Sequence, residues 1–148
     1  MAHIKGEVLI RRPVEEVFDF VVDECNEPKY NPAMTSSTMT TPGPIGIGTR
    51  FAAVHRSRRG PLNMTVEITD YQRPHRLAST TTMPGSNVHG MLTFEQAATG
   101  TRMRWDWDVH VEALPKIAAP LVKVIGSHQE RVCWEALKRY LENGSDIH

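Results

Sequence analysis

Between Met34 and Val111 the chain divides into six strand-length segments joined by short pieces rich in glycine and proline. The segments are Met34–Thr40, Thr49–Ser57, Asn63–Tyr71, Arg76–Met83, Val88–Gln96 and Thr101–Val111. Their connections are Pro42-Gly43-Pro44, Gly60-Pro61, Arg73-Pro74-His75, Pro84-Gly85-Ser86-Asn87 and Ala98-Thr99-Gly100. A parallel return needs a dozen or more residues, so neighbours joined this tightly must run antiparallel. The last segment assigns the faces. Met103, Trp105, Trp107, Val109 and Val111 alternate with Arg102, Arg104, Asp106, Asp108 and His110, which gives the sheet one dry side and one wet side. On the segment before it, Val88, Gly90, Leu92 and Phe94 share the inward parity.

Helical periodicity flanks this β region. A first strand over His3–Ile10 leads to Pro13 at a first helical position, with Glu15 and Glu16 in the first turn, where acids suit the helix dipole. Val14, Val17, Phe18, Val21 and Val22 recur at helical spacing. Pro28 and Pro32 then restrict the next piece to a turn or a broken helix. After Pro115 and Pro120 comes a long helix from Leu121 to about Glu142, with Gly144 as its stop. Its expected dry stripe is Ile125, Val132, Cys133, Ala136, Leu137, Tyr140 and Leu141, and Lys123, Glu130, Glu135, Lys138 and Glu142 are expected opposite. Helices at the ends and strands between make an α+β pattern. Six or seven antiparallel strands are wider than one helix, so the sheet must curve around the C-terminal helix, with two short helices after the first strand. That geometry leaves a hollow beside the helix. The 148 residues are expected to form a single domain over 1–148, with 143–148 a flexible tail, and enough core to need no metal or disulfide.

Zero formal net charge argues against a general grip on nucleic acid. The basic run Arg56-Ser57-Arg58-Arg59 ends in Gly60-Pro61 and reads as a solvated hairpin turn. Cys25 and Cys133 form no pattern and suit a reduced, cytoplasmic protein. No stretch approaches the ~20 apolar residues of a membrane span, so stable membrane insertion is not expected. The glycines of Gly43-Pro44-Ile45-Gly46-Ile47-Gly48 feed a strand and not a helix, which removes a phosphate-loop reading. Gly126-Ser127-His128 sits in a helix and not at a nucleophile elbow. The seven histidines show no ligand pair at i, i+4, so neither a metal nor a cofactor is expected.

Side-chain parity nominates the residues of the hollow. His55 shares parity with Phe51 and Ala53, Ser79 and Thr81 share it with Leu77, and His128 lies one turn from Ile125 and one from Val132. The candidate cavity set is Phe51, His55, Ser79, Thr81, Leu92, Phe94, Trp105, Trp107, Ile125 and His128. A buried imidazole is an acid or base near neutral pH, which makes His55 and His128 the catalytic candidates. The competing reading is that the polar members are satisfied core groups and that the tryptophans pack the core.

Several pieces, in order, resemble the START-like (SRPBCC) superfamily, the polyketide cyclase/dehydrase and lipid-transport group that includes the birch-pollen-allergen fold. They are Arg12-Pro13-Val14-Glu15-Glu16-Val17-Phe18, Tyr30-Asn31-Pro32, Gly46-Ile47-Gly48-Thr49-Arg50-Phe51, Ile68-Thr69-Asp70-Tyr71-Gln72-Arg73-Pro74-His75-Arg76-Leu77, Leu92-Thr93-Phe94 and Ala136-Leu137-Lys138-Arg139-Tyr140-Leu141-Glu142. The resemblance implies a helix-grip fold with a ligand cavity, and a Gly43–Gly48 loop near its mouth. Fold alone licenses no reaction. The leading expectation is a binder of a hydrophobic small molecule of lipid, polyketide or aromatic type, as a monomer or homodimer. The alternatives are a cyclase, aromatase or dehydratase using a cavity histidine, and a protein-partner module such as a co-chaperone or quinone-pathway accessory domain.

Overall fold

The computed structural model describes residues 2–112 and 114–143. Of the expected C-terminal tail only Asn143 falls within them; the Gly144 stop lies outside the described residues. Strand β1 (Ala2–Ile10) is followed by helix α1 (Val14–Val22) and a 3-10 helix over Glu24–Lys29, the two short helices of the expected pattern. Six strands come next: β2 (Met34–Met39), β3 (Arg50–Ser57), β4 (Gly60–Gln72), β5 (Arg76–Met83), β6 (Ser86–Ala97) and β7 (Gly100–Val111). The chain then enters helix α2 (Ala119–Glu142), with Pro120 in its first turn, where a missing N–H costs nothing.

All seven strands join one curved antiparallel sheet in the order β1-β7-β6-β5-β4-β3-β2. The first strand therefore pairs with the last, with Ile4 opposite Trp107 and Val8 opposite Met103. The inward parity expected for β7 is realised at Met103 and Trp105, both buried, and the wet side carries the ion pairs of Arg102 and Arg104 with Glu7 and Glu95. This is the helix-grip arrangement.

Packing is uneven along the sheet. At one end α1 presents Val17 and Phe18, both fully buried, to a core that includes Ile10, Phe94 and Met103. The C-terminal half of α2 seats Trp134, Leu137 and Leu141 in the same core. Lys138 Nζ donates to the Leu9 carbonyl at 2.6 Å, and Glu142 accepts from the Arg11 backbone N–H at 2.8 Å, so this half is tied to the end of β1. The N-terminal half of α2 does not follow. Ile125 and Val132, expected in the dry stripe, are about half exposed, at 49% and 51%. The stripe that meets the sheet runs Glu130, Trp134, Leu137, Leu141, spaced by four, three and four residues, and Ile125 and Val132 lie nearly on the other side of the helix from it.

Gly6 is opposite Trp105 and lies on the inner face of β1, where a Cβ would overlap the indole ring. The ring is buried against Trp134 and has little room to retreat. Gly6→Ala is expected to lower stability by about 1–3 kcal/mol, the usual cost of overpacking a core. A urea midpoint equal to that of the parent protein would show that the ring moves freely.

Candidate functional site

Curvature of the sheet leaves a hollow of about 690 Å³ beneath α2. Phe51 on β3, Val66 and Ile68 on β4, Leu77 on β5, Leu92 on β6 and Trp107 on β7 form its floor. Gln129, Glu130, Val132, Cys133 and Trp134 of α2 form much of its roof, and Glu24 and Glu27 of the 3-10 helix also line it. A second hollow of about 330 Å³ lies beneath the N-terminal half of α2, against Ile4, Val109 and Gly126. Met83, Val88, Trp107, Gln129 and Glu130 line both, so they stand at the partition.

Of the nominated residues, Phe51, His55, Ser79, Thr81, Leu92, Trp107 and His128 line the larger hollow. His128 borders it while remaining exposed. Ile125 lines the smaller hollow. Phe94 and Trp105 lie in the packed core: Phe94 meets the edge of Phe18 at 5.2 Å, and Trp105 packs against Trp134. None of Gly43 to Gly48 lines either hollow.

Sequence reasoning missed the carboxyl groups. Glu130, expected on the wet side of α2, reaches into the hollow because it is one turn before Trp134 on the stripe that faces the sheet. Glu24 and Glu27 arrive from a segment whose prolines destroy helical periodicity. Glu27 accepts a 2.7 Å hydrogen bond from Asn31 Nδ2 and faces His55 Nε2 at 4.0 Å, an ion-pair distance too long for a hydrogen bond.

The three carboxyl groups settle into different states. Burial, then the charge of Glu27, pushes Glu24 well above the ordinary carboxyl range, so it keeps its proton and shares it with Glu27. Burial would also raise Glu27, but the His55 ring, the Glu24 hydroxyl and the Asn31 amide outweigh it and hold Glu27 below its ordinary value. Burial, followed by the charge of Glu27, pushes Glu130 up to about 7. Trp134 Nε1 opposes this by donating to Glu130 Oε1 at 3.3 Å. The Trp107 indole also favours the Glu130 anion, yet its Nε1 is shut off from solvent and, among the described residues, makes no hydrogen bond of acceptable geometry.

Burial raises Cys133 well above the usual thiol range, helped by the charge of Glu27, so it stays a thiol and is a poor nucleophile. Cys25 is raised as well, by burial and then by Asp23. Among the described residues, no group of three or more His, Cys, Asp or Glu is placed to hold a metal ion. Among them also, no helix is long and apolar enough to cross a membrane.

An antiparallel sheet gripping a C-terminal helix over a hollow defines a START-like protein. The chain belongs to the polyketide cyclase / dehydrase and lipid transport family, whose model matches residues 1–142. Its structure is similar to a START superfamily protein from Mycobacterium smegmatis, with a TM-score of 0.84, 13% identity, and 98% of this chain and 100% of that chain covered. It is also similar to a di-domain ARO/CYC from the steffimycin biosynthetic pathway, with a TM-score of 0.79, 11% identity, and coverage of 97% of this chain and 51% of that one. Ara h 8.0201 gives a TM-score of 0.66 at 16% identity, over 91% of this chain and 97% of the other. At such identities the likeness speaks for the fold alone. No curated protein matches the sequence.

Proposed function

We propose that this protein binds a hydrophobic small molecule of lipid, polyketide or aromatic type in the hollow between its sheet and α2, as a single domain working as a monomer or homodimer. The observation that carries this reading is a hollow of about 690 Å³ with a floor of apolar and aromatic side chains and a small polar end. Ligand sites commonly have about 300–1,000 Å³ and the same division of labour, with apolar walls giving affinity and a few polar groups giving orientation. Two free thiols suit a reducing cytoplasm as the place of action.

Gentle-ionisation mass spectrometry of the untreated protein is expected to show a co-purifying small molecule. A neutral apolar fluorophore is expected to bind in its place, and Ser79→Trp, which pushes an indole into the hollow from β5, to weaken that binding by roughly tenfold or more. A well-folded Ser79→Trp protein that binds the fluorophore as tightly as the parent would end this reading.

One observation favours a second reading, an enzyme of the cyclase, aromatase or dehydratase kind. His55 lines the hollow and faces Glu27 at 4.0 Å, an arrangement suited to moving a proton on a bound chain. Full turnover of a demonstrated substrate by His55→Ala would remove it.

A further inference from the structure

Among the described residues that line it, the hollow carries three carboxyl groups and one lysine or arginine, Arg56, which is exposed. A site for a purely apolar ligand has no use for them, since each acid brought out of water must keep a proton or find a partner. We propose that the hollow selects hydrophobic molecules bearing a protonated amine, the ammonium being held by Glu27 and Glu130 and the apolar body lying on the sheet. This rests on the cavity reading above and names the ligand class for it.

Three features of the site support the assignment. The first is the acid itself: the charged partner that faces the Glu27 anion is the His55 ring at 4.0 Å, the Asn31 amide that donates to it is neutral, and its charge reaches Glu130. The second is the indole of Trp107. Its buried N–H makes no hydrogen bond of good geometry among the described residues, although it favours the anion of a carboxyl already held by the Trp134 N–H. Two indole donors beside one carboxyl suit an anion, while burial and the Glu27 charge leave that carboxyl half protonated at neutral pH. A bound cation reverses this. It favours the ionised Glu130, which can then accept from both rings, and the proton leaves to solvent. The third is the aromatic wall: Phe51, Trp107 and Trp134 all line the hollow, and aromatic faces attract ammonium groups.

The other groups near Glu130 set the direction of the pH dependence. Glu24 and Glu27 on the 3-10 helix, His55 and Arg56 on β3, Tyr30 after the 3-10 helix, and His128 and Cys133 on α2 are the titratable or charged neighbours. Burial and the Glu27 charge hold Tyr30 and Cys133 neutral, so ionisation of Glu130 adds a negative charge to the hollow between about pH 6 and pH 8. Affinity for an ammonium ligand therefore rises over that interval.

Calorimetric titration of the intact protein with naphthylethylamine, naphthylethanol and naphthylacetate tests this with one apolar body and three head groups. At about pH 8 the amine is expected to bind roughly tenfold tighter than the alcohol, and the acetate more weakly than either. At about pH 6 the preference for the amine is expected to shrink several-fold. Glu27→Gln and Glu130→Gln should each reduce affinity for the amine roughly tenfold more than affinity for the alcohol. If either variant fails to fold, the pH series on the parent protein decides alone. Binding of the alcohol without preference for the amine at about pH 8, or a preference unchanged in both variants, overturns the amine assignment and leaves the cavity reading standing. Binding of none of the three overturns both.

Discussion

Replacing Glu130 with glutamine is expected to stabilise the folded protein at about pH 8 by roughly 2–3 kcal/mol, although the residue lines the proposed binding site. In the fold its carboxyl titrates at about 7, against an ordinary 4.5, because burial and the Glu27 charge both penalise the anion. The native state therefore holds that proton more tightly than the unfolded chain does. The resulting stability is fully present below about pH 4.5 and is lost as pH rises through about 7. At roughly 1.4 kcal/mol per tenfold change in proton affinity the difference approaches about 3.4 kcal/mol, and the partial exposure of the side chain trims it. Glutamine has nothing to ionise, and its carbonyl can still accept from Trp134 Nε1. Urea unfolding at about pH 5 and about pH 8 should show the parent protein weakening with pH and Glu130→Gln weakening less. Some slope will remain, because Glu24 is raised for the same reasons and acts in the same direction. A parent protein of constant stability across this range, or a glutamine variant less stable at about pH 8, would contradict the assignment. A residue that costs stability at neutral pH is what a binding or reacting site requires and a passive core does not.

The same residue shows where sequence reasoning stops. Strand faces were legible because their period is two and each side chain declares its side: Phe51, Leu77, Leu92 and Met103 all lie buried as parity implies. The β3–β4 hairpin runs further than its residues suggest. Gly60 and Pro61 look like turn residues, yet they pair with Ser57 and Arg56, because Gly60 takes a positive φ of 108° and lets Arg58 and Arg59 alone make the turn. On α2 one stripe runs through Ile125 and Val132 and another through Trp134, Leu137 and Leu141; at about 100° per residue they lie on nearly opposite sides of the helix, and apolar residues occupy both. Tracing the second stripe back one turn lands on Glu130, and that was the available signal. Glu24 and Glu27 gave none. They meet His55 and Glu130 across separations that only the folded sheet brings together, from a 3-10 helix interrupted by Pro28. A charged residue is usually placed in water by default, and the polar end of the site consists of the exceptions.

Phe18→Ala is expected to have the largest destabilising effect, about 3–5 kcal/mol, the usual cost of removing a fully buried phenylalanine. Its side chain has no exposed surface and meets two rings edge-on, Tyr71 at 5.4 Å and Phe94 at 5.2 Å. Edge-to-face pairs add to simple burial, and α1 cannot close over the gap because Val17 and Val21, on the same helix, are already buried. Domains of this size are stable by only about 5–15 kcal/mol, so the variant should unfold at markedly lower urea or temperature while remaining folded in the cold. Phe18 lines neither hollow. Affinity of the folded fraction for an apolar probe should therefore change little, whereas Ser79→Trp should lose the probe and keep most of its stability. Those opposite patterns separate the two ends of the grip: α1 and the C-terminal half of α2 close the core around Phe18 and Leu137, and the space beyond Trp134 is left open. If Phe18→Ala lost the probe as completely as Ser79→Trp does, the hollow would depend on the aromatic cluster, and the division between core and cavity drawn from the packing would be wrong.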